Sequence, residues 1–112
     1  MRRDSLYING EWVEANGDGV IDVVNPATEE TIGSVPVGSQ SDVDAAVTAA
    51  RDAFTSWSMS SIEERIEILN KLSAAIKDNT EELAQTITAE VGTPIGYSRM
   101  AMVGTPRVVA RS

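Results

Sequence analysis

The side chains able to do chemistry in this 112-residue chain are carboxylates, hydroxyls and a few bases; it holds no cysteine and no histidine. The commonest general base and the thiol nucleophile are therefore both missing. A zinc site of the usual nitrogen and sulfur type is excluded on the same ground. A serine nucleophile would have only lysine or a carboxylate to activate it. Six of the seventeen acids form adjacent pairs, Glu29-Glu30, Glu63-Glu64 and Glu81-Glu82. Neighbours on a helix point about 100° apart and do not converge on one substrate. They read as solvated surface and as acids suited to the positive end of a helix dipole. Gly17-Asp18-Gly19 lacks the third glycine of a dinucleotide fingerprint and sits between strand-forming runs, so it reads as a turn. Gly92 and Gly96 have the spacing of a membrane packing motif without its apolar context. Tyr7, Trp12, Phe54 and Trp57 read as core or interface anchors. Glu90 is the odd acid, placed in the last turn of a helix where the dipole disfavours it. From residue chemistry alone, no active site is recognisable.

The elements that would position these groups are legible from periodicity. Leu6-Tyr7-Ile8 and Trp12-Val13 are β-formers joined through Asn9-Gly10, a favoured hairpin pair. Asn16-Gly17-Asp18-Gly19 leads on to Val20-Ile21-Asp22-Val23-Val24, which suggests a small antiparallel meander, and Asn25-Pro26 stops it. Thr31–Pro36 is a further extended piece. Within 41–57 the apolar residues Val43, Ala46, Val47, Ala50, Ala53, Phe54 and Trp57 keep the rhythm of one helix face, with Ser41 as candidate cap. A second helix is expected over 61–78, with Ser61 and Glu64 at capping-box spacing. A third is expected over 80–91, where Asn79 to Glu82 repeats the capping logic and Gly92 takes the C′ place. A fourth over 95–111 is interrupted by Gly104-Thr105-Pro106. The fold class within the chain is thus α+β, β-hairpins over about 6–36 followed by three or four helices.

Composition narrows the function classes. The formal charge is −8, of which residues 1–40 carry −5. Nucleic-acid binding is disfavoured, since it depends on clustered Lys and Arg. No apolar run approaches the ~20 residues needed to span a bilayer, so no membrane partner is expected. No apolar stretch follows Met1-Arg2-Arg3-Asp4-Ser5, and no cysteine suggests an oxidising compartment, which points to the cytoplasm. From Val91 to Ser112 acids are absent and Arg99, Arg107 and Arg111 appear. The chain stops there without a cap, as an interrupted element would.

These pieces carry a resemblance. Leu6 to Val13 (LYINGEWV), Val24 to Gly33 (VNPATEETIG), Asp42 to Val47, Ala49 to Phe54 and Trp57 resemble the N-terminus of an NAD(P)-dependent aldehyde dehydrogenase. Arg65, Leu69 and Glu90-Val91-Gly92-Thr93-Pro94 continue the match in order, so it covers the chain from about Leu6 onward. The resemblance implies an α/β parent fold, of which 1–112 is the N-terminal part with the cofactor and catalytic regions elsewhere. It implies an enzyme that oxidises an aldehyde to a carboxylic acid through a cysteine thiol, which this chain lacks. Alone, the chain is expected to be inactive, with no catalytic or cofactor-binding residue and no bound NAD or NADP. Its expected partners are the remainder of its own enzyme and further copies in a homo-oligomer. The family often holds a structural Na+ or K+ between backbone carbonyls and an acid, and the matching positions are Val23, Val24 and Glu90. The alternative to an enzyme piece is a stand-alone acidic helical module that binds a protein partner.

Overall fold

The computed structural model describes residues 5–109, with side chains as far as residue 106. They form two compact units, one of 5–24 with 30–59 and one of 25–29 with 60–109.

In the first unit, β1 (Leu6–Ile8) pairs antiparallel with β2 (Glu11–Val13), matching Leu6 to Val13 and Ile8 to Glu11. Asn9 and Gly10 turn the chain with φ of 53° and 83°, the double positive φ of a two-residue hairpin loop. Tyr7 and Trp12 face each other across the strands with ring centroids 5.1 Å apart, tilted by 59°. The next strand does not extend this sheet. β3 (Val20–Val24) pairs instead with β4 (Thr31–Pro36), so the expected meander is two separate hairpins. The reason lies in 14–19, which is not a tight turn. Asn16 is held by hydrogen bonds to Asp42, and Gly17 lies so close to the Val37 carbonyl that a Cβ there would stand 2.1 Å from the oxygen. The β3–β4 ladder slips by one residue between Val23 (opposite Gly33) and Val24 (opposite Thr31), making Ile32 the extra residue of a bulge.

α1 (Gln40–Trp57) starts earlier than the periodicity suggests, and its cap is Ser39, not Ser41. Ser39 has a reciprocal partner that Ser41 lacks. Three residues on, Asp42 takes the place of the usual Glu in a capping box. The apolar stripe of α1 forms as expected but stays open: Val43, Val47, Phe54 and Trp57 are 45–65% exposed.

In the second unit, α2 (Ile62–Asp78) is capped by Ser61 with Glu64 reaching back, as its spacing indicates. α3 (Thr80–Val91) follows at once. Its N-terminus lacks the expected side-chain cap, because the Asn79 amide turns back to donate to the Ala75 carbonyl at the end of α2. Gly92 closes α3 at φ 79°, and a Cβ there would also strike Pro26 at 2.8 Å. The tail is helical through α4 (Ile95–Tyr97), a π-helical turn (Ser98–Val103) and α5 (Gly104–Val109). Pro106 does not break it. A proline ring clashes with the carbonyl four residues back, and the wider π turn just ahead, where the Gly104 N–H donates to the Arg99 carbonyl, changes that spacing. The last residues of the expected 95–111 helix, 110 and 111, lie outside the described residues.

α3 packs on the π turn and α2 on α5. Among the described residues, only Ala84 and Val103 are buried hydrophobic side chains; Ser73 and Ser98 of the same unit are buried too. Ile66, Leu69 and Leu72 of α2 remain about half exposed. No helix among the described residues is long and apolar enough to cross a membrane.

Candidate functional site

The residues singled out for a cation fall in different units. Val23 and Val24 lie in β3 at the bulge, Val23 half-buried and Val24 exposed. Glu90 is exposed in the last turn of α3, a turn that carries no basic residue to answer it. Among the described residues, no three His, Cys, Asp or Glu side chains gather into a group that could hold a metal ion. Two of the paired acids, Glu64 and Glu81, do structural work. Glu64 accepts the Ser61 N–H at 2.7 Å. Glu81 takes a two-pronged ion pair from Arg99, Nε to Oε2 at 2.8 Å and Nη2 to Oε1 at 2.7 Å. The Arg99 hydrogen bonds, helped by the Gln85 amide, bring the Glu81 carboxyl down to about 2. Both partners are half exposed, which limits what the pair adds to stability.

Two polar clusters escaped the sequence reading. Asp42, 4% exposed, accepts from the Ser39 N–H at 2.7 Å, the Ser39 hydroxyl at 3.0 Å, the Asn16 N–H at 2.9 Å and the Asn16 amide at 2.6 Å. These bonds, the Ser39 N–H foremost, lower its pKa from 3.8 to about 2. The signal was present as Ser39-x-x-Asp42, but only the choice of Ser39 as cap exposes it. The second cluster is a triangle of hydroxyls. Ser98, fully buried, lies 2.9 Å from the Thr88 hydroxyl and 2.7 Å from that of Thr93. No spacing rule joins residues ten apart across a helix end, so nothing in the sequence pointed to it. Both clusters bind the chain to itself. Ser39 does have a carboxylate beside it, but Asp42 is already committed to the Ser39 and Asn16 N–H groups, and its lowered pKa makes it a weak base.

The chain as a whole has clear relatives. The model of the aldehyde dehydrogenase family matches residues 12–111, so the chain belongs to that family. A Staphylococcus aureus relative carrying the same family name is 45% identical over 92 residues, 82% of this chain and 19% of its own length. Among solved structures, an aldehyde dehydrogenase from Bartonella henselae matches 99% of the chain at a TM-score of 0.94 and 31% identity. Aldehyde dehydrogenase C of Pseudomonas syringae, solved as a cysteine-to-alanine mutant with NAD+ and octanal, matches 97% at a TM-score of 0.94 and 40% identity. A Bacillus halodurans NADP-dependent glyceraldehyde-3-phosphate dehydrogenase with NADP matches 97% at a TM-score of 0.91 and 28% identity. The chain covers 23%, 22% and 23% of those three structures. It spans about one fifth of the length of the curated relatives it matches.

Proposed function

We propose that this chain is the N-terminal part of an NAD(P)-dependent aldehyde dehydrogenase, an oxidoreductase converting an aldehyde to a carboxylic acid, and that it is inert by itself. The observation that carries the reading is the pairing of a family match along most of the chain with an incomplete tool set. The family model covers 12–111, yet the chain holds no cysteine for the thiol step. Its role is that of a scaffold piece in a cytoplasmic homo-oligomer. The half-exposed stripes of α1 and α2 are surfaces for the remainder of the enzyme. NAD or NADP serves the whole enzyme and supplies the hydride acceptor there; no residue of this chain holds it.

Val23, Val24 and Glu90 contribute to a structural Na+ or K+ site of that enzyme. The chemistry fits in kind: carbonyls and a carboxylate are the oxygen donors that hard cations prefer. The β3–β4 bulge supports this in part, since the ladder's register shifts between Val23 and Val24, with Ile32 as the extra residue opposite them. Added K+ or Na+ should raise the melting temperature of the complete enzyme, and Glu90→Ala should remove that rise; an unchanged rise would sink the assignment.

The binding test is calorimetric. Titrated with NAD+ or NADP+, the 112-residue chain should give no binding heat and the complete reading frame a saturable one. Saturable binding to the chain alone would overturn the scaffold reading.

A further inference from the structure

The chain has two Asn-Gly steps, and the structure places them in opposite circumstances. Such a step is chemically exposed because glycine has no Cβ to hinder its backbone nitrogen from approaching the asparagine side-chain carbonyl. Asn9-Gly10 is the tip of the β1–β2 hairpin, with both residues exposed. A Cβ built on Gly10 would meet nothing within 4 Å, so the surrounding space is open. No side chain among the described residues holds the Asn9 amide. The flanking strands are three residues each, and a two-stranded hairpin that short opens readily at its tip.

Asn16 is exposed too, but Asn16-Gly17 is tied down. The Asn16 amide donates to Asp42 at 2.6 Å and its backbone N–H at 2.9 Å. Gly17 is close against the Val37 carbonyl, where a Cβ would stand 2.1 Å from the oxygen. The Asp42 carboxylate also opposes the build-up of negative charge that attack on Asn16 would require.

We propose that Asn9 is a site of spontaneous deamidation and isoaspartate formation, and that the Asp42 latch protects Asn16 from the same reaction. The Gly10 amide nitrogen gives its proton to solvent base and bonds to Asn9 Cγ. The bond from Cγ to Nδ2 breaks and ammonia leaves, closing a succinimide ring. Water adds to one of the two ring carbonyls and opens it to aspartate or isoaspartate. The net change is asparagine plus water to acid plus ammonia, with no oxidant or reductant. The new carboxylate appears on the rim of an open groove of about 340 Å³, lined also by Ala46, Ala49, Ala50 and Ala53 of α1. The isoaspartyl form lengthens the backbone by one methylene inside a turn that sets the Tyr7–Trp12 pairing.

The test incubates the intact chain in mildly alkaline buffer, folded and in denaturant. Peptide-mapping mass spectrometry scores each asparagine, and methyl transfer by an L-isoaspartate methyltransferase detects the isomer. In denaturant both steps should convert at comparable rates. In the folded chain Asn9 should convert faster than Asn16 by on the order of tenfold or more, the factor that a hydrogen bond to a carboxylate imposes on opening. Asp42→Ala should raise the Asn16 rate towards that of Asn9. The proposal is overturned if Asn16 converts as fast as Asn9 in the folded wild type. It is equally overturned if folded Asn9 keeps its amide while the denatured chain loses it.

Discussion

Replacing Ser98 with alanine asks how much of the second unit is held by hydroxyls. With Ala84 and Val103 the only buried hydrophobic side chains among the described residues, the join between α3 and the π turn has little apolar area to rely on. Ser98 has one proton, so it donates to one of Thr88 and Thr93 and accepts from the other, at 2.9 and 2.7 Å. Alanine removes both bonds, each worth about 0.5–1.5 kcal/mol net, for a total of about 1–3 kcal/mol. Thr88 and Thr93 are only half-buried, so water can replace part of the loss, which favours the lower half of that range. With a urea slope of about 1–3 kcal/mol per molar, the unfolding midpoint should fall by roughly 0.3–2 M. Circular dichroism in a urea titration reads this. Thr88→Val and the double variant complete a cycle whose coupling should be about 0.5–1 kcal/mol. A midpoint equal to wild type, or strictly additive variants, would refute the reasoning.

Acid should dissolve the latch between Asn16, Ser39 and Asp42. The Asp42 pKa is depressed in the folded chain, so its contribution is present above 3.8 and is lost as pH falls from 3.8 to about 2. Urea midpoints measured at steps across that window should drop, and Asp42→Asn should flatten the drop to the part owed to the other depressed carboxyls, Glu81 and Glu67. Gly17→Ala should cost about 1–3 kcal/mol, because the added methyl meets backbone and cannot be accommodated by a rotamer change. Gly96→Ala, in α4 with open space around it, should instead stabilise by about 0.5–1 kcal/mol, and thermal melts of the two variants moving in opposite directions check the pair. The open stripes of α1 and α2 should make the isolated chain self-associate; a single monomeric species in sedimentation velocity at all concentrations would count against that.

Features decided within a few residues were readable from the sequence. Asn9-Gly10, the Ser61–Glu64 box and the Gly92 stop each depend on local geometry alone, and the structure shows all three. Misreadings arose where a distant partner decides. β3 turns to β4 and not to β2 because Asp42, 26 residues away, holds Asn16 out of a tight turn. Asn79 spends its side chain on the preceding helix, a competition that composition does not reveal. Pro106 marks a break in sequence, but a π turn ahead of it absorbs the conflict. Periodicity correctly shows that α1 has an apolar face, yet it does not say what covers it, and here that face stays half open. Val23, Val24 and Glu90 were put forward as a cation site only through resemblance, since two of them would act through backbone carbonyls that any residue provides.

Aldehyde-dependent reduction of NAD+ and NADP+, followed over a panel of aldehydes, tests the central claim most directly. The complete reading frame should turn over at least one aldehyde, and the 112-residue chain none at any concentration. Turnover by the chain alone, or a complete frame that oxidises no aldehyde with either cofactor, would contradict the account.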